Sequence, residues 1–360
     1  MRVTPLLFYI AGFAACSPLV PRPAPSTKGY LAPLYGIDDV DKMRDEYIVV
    51  FQPGHNIEQH FEAIGKSLTR SARFRRYGYG YGAILDDDTR DSLVRRDPGV
   101  RVVDVNRPIY FVEPVNSTAI EDEHSSSGLP HEKRMHAEVH RPSAPHGLKM
   151  LTTGSKRFYT SVKDDQTYDY LHSAGEGVQN KVYVVDSGIR ISHSLFEGRA
   201  RNFGDLSPEE NDAAGTIGVR KYGVAPSASL ISVKVLGKGS NAGMLADAIV
   251  DITAEHNANK AKTDGAFWDF RGSVICMAVS WNNNIDASNT YPCAVPVARC
   301  VVAVDNTYNK YEDSNYGSNV NYIAPGVDTL SPGNDSDTSP RENAGTSQAC
   351  AHAAGAAAIF

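Results

Sequence analysis

The chain has 360 residues, 22% of them charged, and a formal net charge of −6. That length suits one large α/β domain plus a small one. A mildly acidic balance without a basic cluster gives no reason to expect nucleic acid or an anionic membrane as a partner. Five cysteines are too few for a fold that depends on a disulfide framework.

Residues 1–16, MRVTPLLFYIAGFAAC, combine one Arg, a short apolar core and small residues at the end, the form of a secretory signal peptide. The apolar core is too short to cross a bilayer, so an exported, soluble protein is expected. Residues 17–45 begin with a run rich in Pro and small polar residues and read as an extended linker. A compact module follows over 46–115. It opens with the strand YIVVFQPG, and a helix then places Ile57, Phe61, Ile64 and Leu68 on one face. A Gly/Tyr-rich loop comes next, and a short helix over Thr89–Arg96 is closed by Pro98 and Gly99. With the strands GVRVVDV and PIYFV, this order predicts a small α+β sandwich.

Residues 116–145 are polar and lack an apolar period, as an exposed connection does. His124, His131, His136, His140 and His146 crowd there, but their irregular spacing favours a solvated linker over a metal-binding tract. Asn116-Ser117-Thr118 and Asn334-Asp335-Ser336 are glycosylation sequons.

Within 146–360, Val182, Tyr183, Val184 and Val185 form a near-continuous apolar run, the pattern of a strand buried on both faces. The run ends on Asp186 and the turn-forming pair Ser187 and Gly188. Reacting groups in open α/β sheets sit past the carboxyl ends of strands, which makes Asp186 a candidate beside its plainer reading as a turn cap. Further strands are predicted over Leu230–Val235, from Gly272 and over Arg299–Val304. A helix between the first two carries Leu245, Ile249 and Ile252 inward, with His256 expected on its solvated side. Gly345, Thr346 and Ser347 then lead into an Ala-rich helix. A serine at that start lies in the positive end of the helix dipole, and Gly345 lets another backbone approach. Cys293 and Cys300 are candidates for one bridge, which the sequence leaves open, and the cysteine spacing does not suggest zinc.

VYVVDSGI and GTSQACAHAAG resemble the aspartate and serine motifs of the subtilisin family, most closely its secreted fungal enzymes related to proteinase K. YIVVFQPG and RRDPGVRVVDV resemble the family's inhibitory propeptide, and APHGL resembles the start of its mature domain. The resemblance implies a doubly wound, mostly parallel α/β sheet over 146–360, preceded by the propeptide sandwich. It implies Asp186 and Ser347 as the first and last members of an Asp-His-Ser triad. The middle member is absent: where the family has His-Gly-Thr-His, Asn211 and Asp212 run directly into Ala213 and AAGTI.

GSVICMAVSWNNN resembles two family strands joined at Met277 and Ala278, with Asn282 in the place of the oxyanion donor and Ser280 and Trp281 as departures beside it. The family resemblance leaves a structural calcium possible, but Asn321 stands where relatives carry a calcium-binding aspartate and does not support it, and no other cofactor is expected. The chain stops at Phe360, early in the serine helix. The resemblance thus implies a secreted serine endopeptidase that is internally deleted, C-terminally truncated and impaired for lack of its histidine. Protein or peptide substrates, its own propeptide in cis and a monomeric state go with that reading. Two alternatives stay open: a catalytically dead homologue that binds peptides, and a module at 46–115 that acts as a protease inhibitor.

Overall fold

The structure is a computed structural model that describes residues 7–10, 29–38, 42–77, 79–108, 115–119, 138–141, 144–153, 170–173, 177–204, 213–237, 240–262, 270–279, 284–289, 292–293, 298–333 and 336–359. The chain divides into two compact units. One holds residues 1–15, 111–236 and 256–360, and the other holds 16–110 with 237–255. The first strand, β1 (Leu7–Ile10), belongs to the larger unit.

The smaller unit is built on β2 (Leu34–Tyr35), β3 (Glu46–Phe51), β4 (Arg75–Tyr77), β5 (Gly80–Ile84) and β6 (Val100–Val105), in the order β2-β6-β3-β5-β4. β3 pairs antiparallel with β5 and β6 at the centre. Helix α1 (Ile57–Ile64) starts at Asn56, whose side chain accepts from the Gln59 N–H at 2.9 Å while Gln59 Oε1 accepts from the Asn56 N–H at 3.0 Å. This reciprocal cap, with Gly65 at φ 65° closing the far end, sets its length. Ile57, Leu68, Tyr81, Val94, Val103 and their neighbours form the core, with Phe61 and Ile64 packed against it.

Two expectations change here. The 17–45 segment contributes β2, a parallel edge strand on β6. The Gly/Tyr-rich loop is in fact the hairpin β4–β5, and Gly80 is required in it because a Cβ there would lie 1.9 Å from the Val49 carbonyl oxygen. Residues 109–112 of the expected PIYFV strand lie outside the described residues.

In the larger unit, β7 (Val115–Ala119), β8 (Glu138–Arg141), α2 (His146–Thr153) and β9 (Tyr170–Ser173) precede the central strand β10 (Asn180–Asp186). After it come β11 (Ala200–Asn202), α3 (Ala213–Gly218), β12 (Ser229–Lys234) and α4 (Ala242–Lys262), whose residues up to 255 fall in the smaller unit. The remainder is β13 (Gly272–Met277), β14 (Cys300–Val304), β15 (Val320–Pro325), β16 (Thr329–Pro332), β17 (Pro340–Ala344) and α5 (Thr346–Ile359).

The main sheet is parallel, in the order β11-β12-β10-β13-β1, and β14 with β15 makes a second parallel pair. Val182 to Val185 are fully buried, as a strand covered on both faces requires. This is the expected α/β fold class. The connection expected to be exposed over 116–145 instead carries β7, which pairs with β17, and β8, which pairs with β9. β13 stops at Met277, where the sequence reading placed a junction of two strands, and its outer edge is taken by β1 from the signal-like segment.

Candidate functional site

Asp186 is the last residue of β10 and is 2% exposed. Its own carbonyl accepts from the Val235 and Leu236 N–H groups at 2.9 and 3.0 Å, so the strand end is pinned to the segment after β12. One carboxylate oxygen, Oδ1, accepts from the Ser187 N–H at 2.6 Å. The turn then leaves the sheet through Gly188 at φ 128°, and the Ile189 N–H donates to Ser232 Oγ at 3.0 Å.

Ser347 is the second residue of α5 and is half-buried. Gly345 fixes the helix entry. Its φ of 148° favours glycine, its N–H donates to the Gly326 carbonyl at 2.7 Å, and its carbonyl accepts from Gln348 and Ala349. The small side chains of α5 let the helix lie close on its neighbours: a Cβ at Gly355 would meet Val224 Cβ at 2.6 Å. α5 packs against β10, β13, β14 and β15.

A pair of thiols links the two candidates. Val184 on β10 is in register with Cys276 on β13, and Cys276 Sγ lies 3.5 Å from Cys350 Sγ. Cys350 is one helical turn past Ser347. The Cys350 contact, burial and the nearby Asp186 charge all push the Cys276 thiol up. The thiol contact thus joins β13, the neighbour of β10, to the early part of α5.

Thr216 on α3 adds a second tie, donating from Oγ1 to Gln348 Oε1 at 2.9 Å, with both residues buried. Sequence reading missed this bond, because Thr216 looks like one small residue among several. Gly215 beside it is also constrained, since a Cβ would lie 1.7 Å from Pro332 Cδ.

The described histidine side chains of this unit have other partners. His146 Nε2 lies 2.9 Å from the Val327 carbonyl. His193 is 1% exposed, with Nδ1 accepting from the Leu195 N–H and Nε2 at 3.2 Å from the Ser339 carbonyl. His352 points to the Gln348 carbonyl at 3.0 Å. His256 corrects an expectation. It is 4% exposed rather than solvated, because its ring packs edge-on to Phe270 with Nδ1 3.0 Å from Ser273 Oγ at the start of β13.

Asn282 and the Asp212 side of the missing histidine motif lie outside the described residues. Asn321 Oδ1 accepts from the Cys300 N–H at 2.8 Å, which commits its side-chain oxygen to the backbone. Cys293 and Cys300, left open by sequence, are joined by a disulfide with an S–S distance of 2.10 Å.

A parallel α/β sheet with a carboxylate at the end of a central strand, and a hydroxyl at the start of a helix packed on it, defines the class of this protein. Its relatives narrow it further. The chain is 36% identical over 233 residues to a subtilisin-like protease 2 of Pseudogymnoascus destructans, covering 58% of each chain. It is 28% identical over 362 residues to an alkaline protease 1 of Aspergillus oryzae, covering 88% of this chain and 81% of that protein. A crystal structure of a cold-adapted subtilisin-like serine proteinase matches with a TM-score of 0.46 and 26% identity, covering 60% of this chain and 84% of the other. No family model matches the chain. The chain spans 58% of the length of the first of these relatives. The chain is thus similar to subtilisin-like serine proteases of fungi.

Proposed function

We propose that the chain carries two of the three catalytic groups of a secreted subtilisin-type serine endopeptidase and, in this sequence, lacks the imidazole between them. Ser347 is the nucleophile that attacks the peptide carbonyl, with its own N–H as one oxyanion donor and Asn282 as the second. Asp186 is the group that orients the base and stabilises its charged form. Residues 46–115 are the inhibitory propeptide, and protein or peptide chains are the substrates.

The single observation that supports this reading is that Cys276, which feels the Asp186 charge, touches Cys350, one helical turn past Ser347. Attack by a serine hydroxyl requires a proton acceptor near neutral pKa. Among the described histidines of this unit, the ring nitrogens with assigned partners contact backbone carbonyls, a backbone N–H or Ser273. Peptide hydrolysis is therefore reduced to what oxyanion stabilisation alone supports. In subtilisin itself, removal of the triad costs about a millionfold in turnover and leaves a residue of roughly a thousandfold or more over water.

The test is the transcript across the codons for Asp212 and Ala213. A His-Gly-Thr-His insertion there makes the protein an ordinary member of the family. A transcript that reads as given supports a second function, a homologue without peptidase activity that binds peptides. The packing of α3 on α5 through Thr216 and Gln348, formed without a histidine segment, favours that second reading.

A further inference from the structure

We propose that His55, His60 and Asp97 in the smaller unit form a binding site for one divalent transition-metal ion, with zinc the best match. Among the described residues they are the one group of three such side chains whose ligand atoms all lie within 4.8 Å of one another. The three come from separate places: His55 from the turn after β3, His60 from α1, and Asp97 from the segment leading to β6. An ion bound by all three would clip the central strand, the helix and the next strand together.

The geometry is close to what zinc requires. Asp97 Oδ2 lies 2.6 Å from His60 Nδ1 and 3.1 Å from His55 Nε2. Ligand atoms at ordinary Zn–N and Zn–O lengths in a tetrahedron are ~3.4 Å apart. Opening the two contacts by roughly 0.8 and 0.3 Å therefore converts a shared carboxylate into a three-ligand site. The His55 side chain is 18% exposed, which leaves a fourth position for water on that side.

The surrounding groups hold the ligands in place. The Gly99 N–H donates to Asp97 Oδ1 at 2.8 Å, and this turns Oδ2 toward the imidazoles. Gly99 is also the only residue type that leaves room for the ring, since a Cβ there would lie 2.2 Å from His55 Nε2. His60 is fully buried, and its second nitrogen, Nε2, lies 3.2 Å from the Tyr81 hydroxyl. With Nδ1 on the metal, Nε2–H donates to that hydroxyl, the outer-shell bond that metal-bound histidines ordinarily make. Phe51 lies against both rings, with centroids 5.3 Å from His55 and 5.2 Å from His60, and gives the site an apolar wall.

Metal that binds the folded unit alone stabilises it in proportion to the ion's concentration over its dissociation constant. The chemistry is independent of Asp186 and Ser347, so it holds whichever way the transcript reads.

The experiment uses the full chain, stripped with chelator and checked for folding by circular dichroism. It is titrated with Co2+ and with Zn2+ against a chromophoric competitor. The proposal expects one equivalent per chain, a tetrahedral cobalt spectrum and a higher melting temperature with zinc. His55→Gln, at the partly exposed ligand, should weaken binding more than ~100-fold, and Tyr81→Phe should weaken it by roughly 10- to 100-fold, the range for an outer-shell partner. Replacing His124, His131, His136, His140 and His146 together by Gln should leave the titration unchanged. A folded wild-type chain that takes up no ion overturns the proposal. So does an equivalent retained in His55→Gln, which would put the metal elsewhere.

Discussion

Thr216 Oγ1 donates a 2.9 Å hydrogen bond to Gln348 Oε1, and this bond ties α3 to the helix turn that carries Ser347. Thr216 is 1% exposed and Gln348 2%, so neither partner has water to fall back on. Thr216→Val keeps the shape and leaves the Gln348 oxygen without its hydroxyl donor. The expected cost is about 1–3 kcal/mol, read as a lower urea midpoint at unchanged slope. Thr216→Ser, which keeps the hydroxyl, should recover most of it.

His352 makes the larger unit acid-sensitive. It is buried beside the Gln348 and Pro325 carbonyls and faces the charge of His146. Burial, the dominant cause, holds it down to about 4 from 6.5. The unfolded chain thus binds the extra proton first as pH falls, and stability rises with pH across that window. The contribution is complete above 6.5 and is lost as pH drops toward about 4. It amounts to about 3 kcal/mol. Melting temperatures across the window should slope less in His352→Gln than in the wild type. Equal slopes would refute the assignment.

Arg90 is the buried cation of the smaller unit. It is 5% exposed, with Nη1 2.6 Å from both the Tyr47 hydroxyl and Asp87 Oδ1, and Nε 2.9 Å from Asp91 Oδ1. The guanidinium holds the Asp91 carboxyl down to about 2 from 3.8. That part of the stability is present above 3.8 and lost as pH falls through about 2. Because Asp91 is 39% exposed and can rehydrate, Arg90→Met should cost about 1–3 kcal/mol, less than breaking a fully buried pair. Chemical denaturation of the two proteins at neutral pH measures it.

Cys276 and Cys350 are both buried, and the Cys276 thiol is pushed well above its ordinary value, first by its contact with Cys350. A thiol held protonated is a poor nucleophile. Alkylation followed by peptide mapping should therefore label both residues only after unfolding. Labelling of Cys276 in the native protein would mean that α5 lifts from β13.

The strand that carries Asp186 and the helix that carries Ser347 were legible because each has a strong local signal. Val182 to Val185 form an unbroken apolar run, and the Ala-rich stretch after Ser347 favours helix. β2 was hidden because two residues carry no period, and only pairing with β6 makes them a strand. β4 and β5 were masked by glycines whose purpose, close approach to β3, appears only in three dimensions. His256 was misplaced because the pattern along α4 does not reveal Ser273 and Phe270 on the other side of its contact. His60 and Asp97 are 37 residues apart in sequence, so no spacing rule joins them.

The central claim is the proposal that Asp186 and Ser347 are two members of a catalytic triad whose histidine this sequence lacks. The most direct measurement is hydrolysis of a chromogenic peptide by the purified chain beside its Ser347→Ala variant. The account predicts no difference between the two above background. Turnover at the ordinary enzymatic scale of roughly 1–1,000 per second, lost in Ser347→Ala, would contradict it.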